Sequence, residues 1–355
     1  MQENERIKQA IPPLTAWYLQ NKKSLPWREV QSPYRVWVSE IMLQQTRTGA
    51  VIPYFLRFVE KYPTVFALAE ADDLELMKLW EGLGYYSRAR NLKKCAQVLV
   101  KEYNGIFPRE RKALLALPGI GPYTAGAIAS IAYGEPTPAI DGNVLRVMMR
   151  LLASERDIAD EKTRRDLDAL LSSVYPSGEA SSRLTEAIME LGENVCIPNG
   201  EPRCDLCPVA HLCRAHEGHI ETFFPFKSPK KPRRIEPRTL FILHYGDIYY
   251  IRQRPSSGLL ASLYEFVGID GHLSLEDAQK LLCEGLCPAP SLSRLEDGKH
   301  IFTHIEWHMH AYHVSLREPL TKKCIEEYSL TPATLEEMHE KYSIPTAFKM
   351  FLRQL

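Results

Sequence analysis

The spacing of apolar residues divides the chain into two parts of different character. Before residue 220, long stretches carry apolar residues at three- and four-residue intervals, which is the period of an amphipathic helix. These stretches are VFALAEADDLELMKLWEGL, SRARNLKKCAQVLVKEY, RKALLALPGI, TAGAIASIAYG, NVLRVMMRLLA and RLTEAIMELGENV. The pattern therefore predicts an all-α region at residues 1–220.

Residues 238–355 show a mixed pattern. RTLFILHY and IYYIRQRP alternate apolar and polar positions on either side of Gly246-Asp247, so we expect a β-hairpin there. HIFTHIEWHMHAYHVSL is a further alternating, aromatic stretch, whereas SLEDAQKLLCEGL and TPATLEEMHEKY have helical spacing. The second part is therefore predicted to be an α+β domain, which makes this a multi-domain protein.

A basic, proline-rich segment, ETFFPFKSPKKPRRIEPR, joins the two parts. It holds six Lys or Arg residues against two Glu, and four prolines that favour an extended backbone. We assign residues 221–237 as the linker. It is either a solvated connector or a connector that also contacts nucleic-acid phosphates.

Composition changes this picture little. The chain has 355 residues, of which 45% are hydrophobic and 25% charged, as in an ordinary globular protein. Its formal net charge of +0 argues neither for nor against a nucleic-acid partner. No stretch has the apolar core of a signal peptide or the length to span a bilayer. We therefore expect a cytoplasmic protein without membrane contact, whose eight cysteines stay reduced or bind metal.

Four of the cysteines fall in one loop, CIPNGEPRCDLCPVAHLC at residues 196–213. The candidate ligands are Cys196, Cys204, Cys207 and Cys213. Zinc ribbons present two facing Cys-x-x-Cys knuckles, whereas this loop has one. Four thiolates in one compact loop suit an iron–sulfur cubane, in which each thiolate binds one iron. Three nearby histidines keep zinc as the alternative: His211, His216 and His219. The scattered cysteines read as packing residues or free thiols; they are Cys95, Cys283, Cys287 and Cys324.

The stretch LPGIGPYTAG, residues 117–126, predicts a turn that leads into a helix. Its glycines allow another chain to approach the backbone closely, and Pro122 suits the first position of a helix. The free amides before it would point toward an anion. The Gly-Lys-Ser/Thr of a Walker loop is missing, so an ordinary turn and an anion-binding turn both stay open at this point.

Two carboxylates are candidates for acid and electrostatic chemistry. Glu40 shares a helix face with three apolar residues, and such surroundings raise the pKa of a carboxyl group toward general-acid duty. Asp141 precedes a helix and is a good N-cap. An acid and a fixed anion are the pair that glycosidic cleavage through an oxocarbenium-like state requires. Taken singly, Glu40 is equally compatible with an ion pair or solvent contact, and Asp141 with a cap alone.

Together these motifs resemble the adenine DNA glycosylases of the MutY family, within the helix-hairpin-helix superfamily. The matching segments follow the family's order and cover most of residues 20–215. They are LPWR (25–28), SEIMLQQTR (39–47), WEGLGYYSRARNL (80–92), LPGIGPYTAGAI (117–128), AIDGNV (139–144), ELG (190–192) and the four cysteines. The resemblance continues more loosely through LLASLYEF and HIFTHIEW, which look like the family's Nudix-like domain for recognising 8-oxoguanine.

The resemblance implies hydrolytic removal of adenine mispaired with 8-oxoguanine or guanine, after the base has been flipped out of duplex DNA. Glu40 would protonate N7 of the adenine and later help to activate water. Asp141 would stabilise the cationic sugar, with Asn143 ordering the site. Tyr123 stands where related endonuclease III enzymes have a catalytic lysine, and a tyrosine cannot form a Schiff base. The resemblance therefore implies a monofunctional glycosylase.

The resemblance also assigns residues around the base and along the DNA. The adenine pocket would be formed by Trp27, Arg28, Leu43 and Glu186. Contacts with DNA and 8-oxoguanine would come from Gln45, Thr46, Leu83, Tyr85, Gly119, Gly121, Phe302, Thr303 and His304. The helix-hairpin-helix, at about residues 114–128, would hold a phosphate on its backbone amides. We further expect a [4Fe-4S] cluster on the four cysteines, a monomer, and an association with the nucleoid through DNA.

The chain departs from the family's pattern at two positions. The first cysteine interval is seven residues where six is usual, which a Pro/Gly loop absorbs. Phe302-Thr303-His304 replaces the common Phe-Ser-His, and the added methyl stiffens χ1. The second domain also lacks the acidic Nudix box, so we expect it to recognise DNA without hydrolysing nucleotides. The alternatives are a sister glycosylase acting on another mispaired or oxidised base, and a non-catalytic lesion binder.

Overall fold

The structure, a computed structural model, describes residues 2–229, 232–286 and 290–355. The chain divides into two compact units: Met1–Glu70 with Asn91–Pro229, and Ala71–Arg90 with Lys230–Leu355. Lys230 and Lys231 of the expected linker, and Cys287 among the scattered cysteines, lie outside the described residues. Within the described part, no helix combines the length and apolarity needed to cross a bilayer.

The region before the linker is helical, as the apolar spacing predicts. Its helices are α1 (Glu3–Asn21), α2 (Pro26–Glu29), α3 (Pro33–Leu43), α4 (Thr48–Lys61), α5 (Val65–Ala69), α6 (Asp73–Trp80), α7 (Ser87–Tyr103), α8 (Arg111–Leu115), α9 (Pro122–Ala127), α10 (Gly142–Leu152), α11 (Glu161–Ser172), α12 (Glu179–Asn194) and α13 (Arg214–Glu217). A π-helical turn, Ile128–Ala132, continues α9. The stretch VFALAEADDLELMKLWEGL forms two helices, because the Asp72 side chain accepts from the Leu74 amide at 2.9 Å and starts α6 anew.

The core of the first unit surrounds α10, which is buried from Val144 to Leu152. It packs against α12 and α13, and α12 in turn packs against α1. Buried members of this core include Leu14, Leu145, Met149, Leu171, Ala187 and Leu191. Two arginines of α10, Arg146 and Arg150, are 6% and 3% exposed, so this helix carries buried charges next to its apolar core.

Local sequence fixes where the helices of the future site begin. The Ser32 hydroxyl accepts from the Arg35 amide at 3.2 Å and caps α3, with Pro33 at its first position. Pro122 takes the same first position in α9, after Gly121. The Asp141 carboxylate accepts from the Val144 amide at 2.7 Å and caps α10. The predicted helix starts at Pro122 and Asp141 are confirmed.

The second unit contains a mixed seven-stranded sheet in the order β4-β6-β1-β3-β2-β7, with β5 paired to β6. Its strands are β1 (Arg234–Tyr245), β2 (Ile248–Gln253), β3 (Tyr264–Asp270), β4 (Ser291–Arg294), β5 (Gly298–Ile301), β6 (Ile305–Ser315) and β7 (Leu330–Ala333). The predicted hairpin is present, since Tyr245 pairs with Ile248 across Gly246-Asp247. The pairing of β1 with β6 is parallel, and Arg234 lies opposite Ile305. Strand β1 thus starts inside the segment expected to be linker.

Alternating residues of the sheet bury two separate cores. Leu240 and Ile242 lie on one face with Trp307 and Phe348, whereas Phe241 and Leu243 contribute to the other core. The helices that cover these faces are α14 (Leu275–Gly285), α15 (Lys322–Glu327), α16 (Leu335–Glu340) and α17 (Thr346–Leu352). The predicted α+β character is therefore confirmed.

The segment Ala71–Arg90 lies before the expected boundary but belongs to the second unit. Leu74 packs against that unit's core, and the Lys78 ammonium donates to the Tyr342 carbonyl at 3.3 Å. The Arg90 guanidinium donates to the Ala261 carbonyl at 2.7 Å. This segment carries Leu83 and Tyr85, so two predicted DNA-contact residues lie in the same unit as the Phe302-Thr303-His304 loop.

Candidate active site

Side chains from α2, α3, α9, α10 and α12 line a cavity of about 470 Å³ in the first unit. Its volume lies in the usual range of small-molecule sites, roughly 300–1,000 Å³. Nine residues predicted from the sequence line it: Trp27, Arg28, Glu40, Leu43, Thr46, Tyr123, Asp141, Asn143 and Glu186. The fold thus brings the predicted acid, the predicted anion and the predicted base pocket into one cavity.

Glu40 is 5% exposed, and its surroundings favour the protonated form. Burial raises the pKa of its carboxyl group to about 7, and the nearby charges of Asp141 and Glu186 act in the same direction. A short hydrogen bond from the Tyr123 hydroxyl to Oε2 opposes this rise. The neutral acid is therefore available near pH 7.

Asp141 is held by groups of its own helix start. Besides the Val144 amide, the Asn143 side-chain amide donates to Oδ2 at 2.8 Å. Burial raises the pKa of Asp141, and these hydrogen bonds together with the charge of Arg146 act against the rise. The carboxylate is thus both the cap of α10 and a fixed group on the cavity wall.

Arg146 connects this wall to the cysteine loop, a role that the sequence analysis missed. Its guanidinium donates to Asn143 Oδ1 at 2.8 Å, to the Gly192 carbonyl at 2.7 Å and to the Cys196 carbonyl at 2.7 Å. The available signal was an arginine inside the apolar helix stretch NVLRVMMRLLA, because a buried cation requires nearby acceptors.

The opposite wall is an ion-pair cluster around Arg28. Its Nε donates to Glu186 at 2.9 Å and its Nη1 donates to Glu190 at 2.9 Å. The guanidinium carbon lies 5.5 Å from the centre of the Tyr18 ring. Glu190 is 2% exposed and was not assigned a role from the sequence, although it lies one helical turn after Glu186 on α12. The cluster fixes the orientation of Glu186 toward the cavity.

The predicted hairpin lies between α8 and α9. Gly119 has φ of +74°, and a Cβ there would lie 2.6 Å from Cβ of Asn91, so the position requires glycine. Gly121 is extended, with φ of −91°, and a Cβ there would meet nothing within 4 Å. Gln45, at the end of α3, has φ of 58°. Of these two glycines, Gly119 is therefore restricted to glycine by the fold itself, whereas the backbone around Gly121 is open.

The second unit brings the remaining predicted residues together. The Tyr85 hydroxyl lies 3.1 Å from Thr303 Oγ1, and Tyr85 is 47% exposed with φ of 47°. The Arg88 guanidinium supports this turn from inside by donating to the Leu83 carbonyl at 2.9 Å and to the Gly84 carbonyl at 3.1 Å. Phe302, next to Thr303, packs on Trp307 with 4.8 Å between ring centres. His304 completes the same loop between β5 and β6.

The four predicted ligands, Cys196, Cys204, Cys207 and Cys213, line one small cavity of the first unit. A single zinc ion bound at about 2.3 Å would draw four sulfurs to about 3.8 Å from one another. In the described part of the chain, the potential ligand atoms that meet within 4.8 Å are those of Cys204, His216 and Glu221. In that part of the chain, no three of the four cysteine sulfurs lie within 4.8 Å of one another.

Positive charge reaches this cavity through Arg150. Its guanidinium donates to Cys196 Sγ at 3.3 Å and to the Ile197 carbonyl at 2.9 Å. Burial raises the pKa of the Cys207 thiol to about 12, so a thiolate there requires a bound cation. The arrangement of sulfurs around one cavity, with a cation beside it, fits a polynuclear iron–sulfur cluster.

Both parts of the chain match known protein families. Residues 38–173 match the family model of the HhH-GPD superfamily base excision DNA repair proteins, and residues 238–354 match that of the NUDIX domain. The adenine DNA glycosylase of Rattus norvegicus is 35% identical, over 85% of this chain and 70% of the rat protein. That of Homo sapiens is 34% identical, over 96% and 72%.

Two solved structures share the helical fold. A thermostable thymine-DNA glycosylase has a TM-score of 0.54 and 27% identity over 61% of this chain and 98% of its own. A trapped endonuclease III–DNA covalent intermediate has a TM-score of 0.52 and 28% identity over 62% of this chain and 100% of its own. The fold expected from the helix-hairpin-helix resemblance is confirmed.

Proposed function

The chain belongs to the adenine DNA glycosylase family, and on that premise we propose that it hydrolyses the N-glycosidic bond of adenine paired with 8-oxoguanine or guanine in duplex DNA. The observation that carries the proposal is the Glu40 carboxyl group, buried and bonded to Tyr123, in the same cavity as Asp141. A neutral carboxylic acid and a fixed carboxylate are the two groups that acid-catalysed departure of a base requires.

The first step is proton donation to the flipped base. Glu40 in its neutral form protonates adenine at N7, which turns the base into a better leaving group. Arg28 and Glu186, bonded to each other at 2.9 Å, form the polar wall that receives the base, and Trp27 and Leu43 add the apolar part. Flipping costs on the order of a few kcal/mol, which contacts in this pocket offset.

The second step is stabilisation of the sugar cation. Asp141 is oriented by the Val144 amide and by Asn143, so its charge is fixed before the reaction begins. The Glu40 carboxylate left by the first step then accepts a proton from the attacking water. Tyr123 donates to Glu40 and holds it in place, but a phenol cannot form a Schiff base with the sugar. We therefore assign a monofunctional activity.

The test is single-turnover adenine release from two duplexes that differ only in guanine or 8-oxoguanine opposite adenine. We expect release from both, with strand breaks only after alkali treatment and no protein–DNA adduct after borohydride. Strong borohydride trapping would refute the monofunctional assignment. Release of another base instead would favour a sister glycosylase, and tight lesion binding without any release would favour a non-catalytic binder.

We propose that the four cysteines of residues 196–213 hold a [4Fe-4S] cluster, with Arg150 donating to the Cys196 sulfur. The four cysteines of this loop would hold the cluster beside α10, and the cluster would supply one-electron redox chemistry. Cys207→Ser is expected to remove most of the iron and of the broad visible absorption, whereas Cys283→Ser, at an exposed cysteine of α14, is expected to leave both unchanged. Elemental analysis makes the comparison; one zinc per chain in the wild type would contradict the cluster.

For lesion recognition, we propose that Tyr85 and Thr303 act as a pair that contacts 8-oxoguanine. Further contacts with the same DNA strand would come from Gln45, Thr46 and Leu83. Thr303→Ser keeps the hydroxyl 3.1 Å from Tyr85 and is expected to retain the preference for 8-oxoguanine. Thr303→Val keeps the shape but removes the hydroxyl, so the ratio of release rates is expected to fall roughly tenfold, as for loss of one hydrogen bond worth about 1.5 kcal/mol. Equal ratios in the two variants would remove Thr303 from recognition.

The arrangement of the chain follows from these roles. We propose that residues 1–220 form the catalytic region, that 221–237 form the linker, and that 238–355 recognise 8-oxoguanine. Gly119 and Gly121 leave their backbone amides free to approach a DNA phosphate. We further propose a monomer that acts at the nucleoid.

A further inference from the structure

A second polar cavity lies on the sheet of the second unit. It has a volume of about 160 Å³. Its charged lining consists of Arg238 on β1, Arg252 on β2, Arg254 directly after β2, and Glu265 on β3. Three guanidinium groups and one carboxylate thus line a single cavity, which we name the arginine cavity.

The charges of the arginine cavity do not balance. Glu265 is 4% exposed and accepts from Arg252 at 2.7 Å and from Arg254. Arg238 is paired with Asp270 at 3.1 Å, but the Asp270 side chain is 87% exposed, so water screens that pair. An ion-pair network that served stability alone would match its charges inside the cavity. Here the lining keeps an excess of positive charge.

The guanidinium planes are held in place before any ligand arrives. The guanidinium carbon (Cζ) of Arg238 lies 4.2 Å from the centre of the Trp307 ring, and that of Arg254 lies 5.6 Å from the same centre. The Arg238 Nε is buried and has no hydrogen-bond partner among the described residues. An unmet buried donor is unfavourable, so an acceptor bound at this guanidinium group is favoured.

We propose that the arginine cavity binds a phosphate group. Guanidinium forks match the paired oxygens of a phosphate, and a charge-assisted bond of this kind is stronger than a neutral one. A water takes up about 30 Å³, so 160 Å³ holds on the order of five such groups, enough for a phosphate and too few for a nucleoside. The phosphate therefore belongs either to the DNA backbone or to a nucleotide whose sugar and base stay outside.

The cavity lies directly behind the loop proposed to contact 8-oxoguanine. Trp307 packs on Phe302, and the Arg233 Nε donates to the Phe302 carbonyl at 3.1 Å. The Trp307 ring would thus lie between a phosphate bound to Arg238 and Phe302, the residue that precedes Thr303. Glu265 is paired with two arginines, so it is not available as a metal ligand. The site is therefore proposed to bind phosphate without a metal ion. This inference does not depend on the base chemistry proposed above.

Arg252→Gln is the first variant to test, since Arg252 is partly exposed and its loss leaves the Arg254–Glu265 pair intact. Arg238→Gln is an independent second variant on another strand. Arg317→Gln removes the same charge at an exposed position of the same unit and serves as the control. Binding of radiolabelled inorganic phosphate is measured by equilibrium dialysis at fixed ionic strength, on full-length folded protein. A tenfold or greater loss of affinity is expected in both cavity variants and none in the control.

A second arm identifies the source of the phosphate. The affinity for a duplex containing 8-oxoguanine is measured against salt concentration, and competition by dGTP for inorganic phosphate is measured alongside. If the DNA backbone fills the site, Arg252→Gln lowers the salt slope by about 0.9 and Arg317→Gln does not. If a nucleotide fills it, dGTP competes and the slopes stay equal. The proposal is overturned if the salt slopes are equal and either all four proteins bind phosphate equally or the wild type binds none.

Discussion

Replacing Glu40 by glutamine is expected to reduce single-turnover adenine release by at least about 10³-fold, while the affinity for the lesion duplex stays within about twofold of the wild type. Glutamine keeps the size of the side chain and can still accept from Tyr123, but it cannot donate a proton to the base. General acid catalysis alone contributes typically 10²–10⁴-fold, and Glu40 is also proposed to activate water. Affinity is measured on a duplex with non-hydrolysable 2′-fluoro-2′-deoxyadenosine.

The pH dependence of the wild type tests the same assignment. Because burial raises the pKa of Glu40 to about 7, the neutral acid is lost above that pH, and the release rate is expected to fall toward tenfold per pH unit. Glu60→Gln, at an exposed glutamate of α4, is the matched control and is expected to keep the wild-type rate and profile. A flat profile between pH 6 and 9 with chemistry rate-limiting would remove Glu40 as the acid.

The pH dependence of protein stability tests the raised pKa of Glu40 independently of catalysis. Its pKa is raised from 4.5 to about 7 in the folded protein, so its stabilising contribution is complete below 4.5 and is lost as the pH rises through 7. Above that pH the buried carboxylate lowers the free energy of unfolding by on the order of 3 kcal/mol. Glu40→Gln is therefore expected to unfold at a higher temperature than the wild type at pH 8.5. An inactive variant that is also less stable would indicate damage to the fold.

Much of the catalytic region follows from local sequence because its signals act within one turn of a helix. Asp141 caps α10 through an amide three residues away, and Gly119 adopts its positive φ within a short turn. The alternation along β1 likewise places Leu240 and Phe241 on opposite faces of the sheet. In each case the residue type and its immediate neighbours contain the physical cause, so the pattern is sufficient.

The contacts between distant segments could not be predicted from local sequence in this way. Arg146 joins Asn143 to Gly192 and Cys196 only after α10 and α12 have packed, and the sequence offers no spacing rule for such a contact. Tyr85 and Thr303 are 218 residues apart in the chain. The resemblance assigned each of them a role near the lesion strand, but their hydrogen bond depends on the segment Ala71–Arg90 packing in the second unit.

Replacing Asp141 by asparagine is the second change expected to have a large effect, with a loss of about 10³-fold in single-turnover release. Asparagine caps a helix about as well as aspartate, so the bond from the Val144 amide and the start of α10 are expected to survive. What disappears is the fixed negative charge facing the sugar cation, and removal of one such preorganised electrostatic contact costs typically 10²–10³-fold.

The matched control for this change is Asp160→Asn. Asp160 caps α11 by accepting from the Lys162 amide at 2.8 Å, and it does not line the cavity. Both variants therefore exchange a capping aspartate for asparagine, but only one of them removes charge from the proposed site. We expect similar unfolding temperatures for the two variants and a rate loss in Asp141→Asn alone. Equal rates in the two variants would show that Asp141 acts only as a helix cap. The sugar cation would then need another counter-charge, for which Glu40 in its ionised form is a candidate.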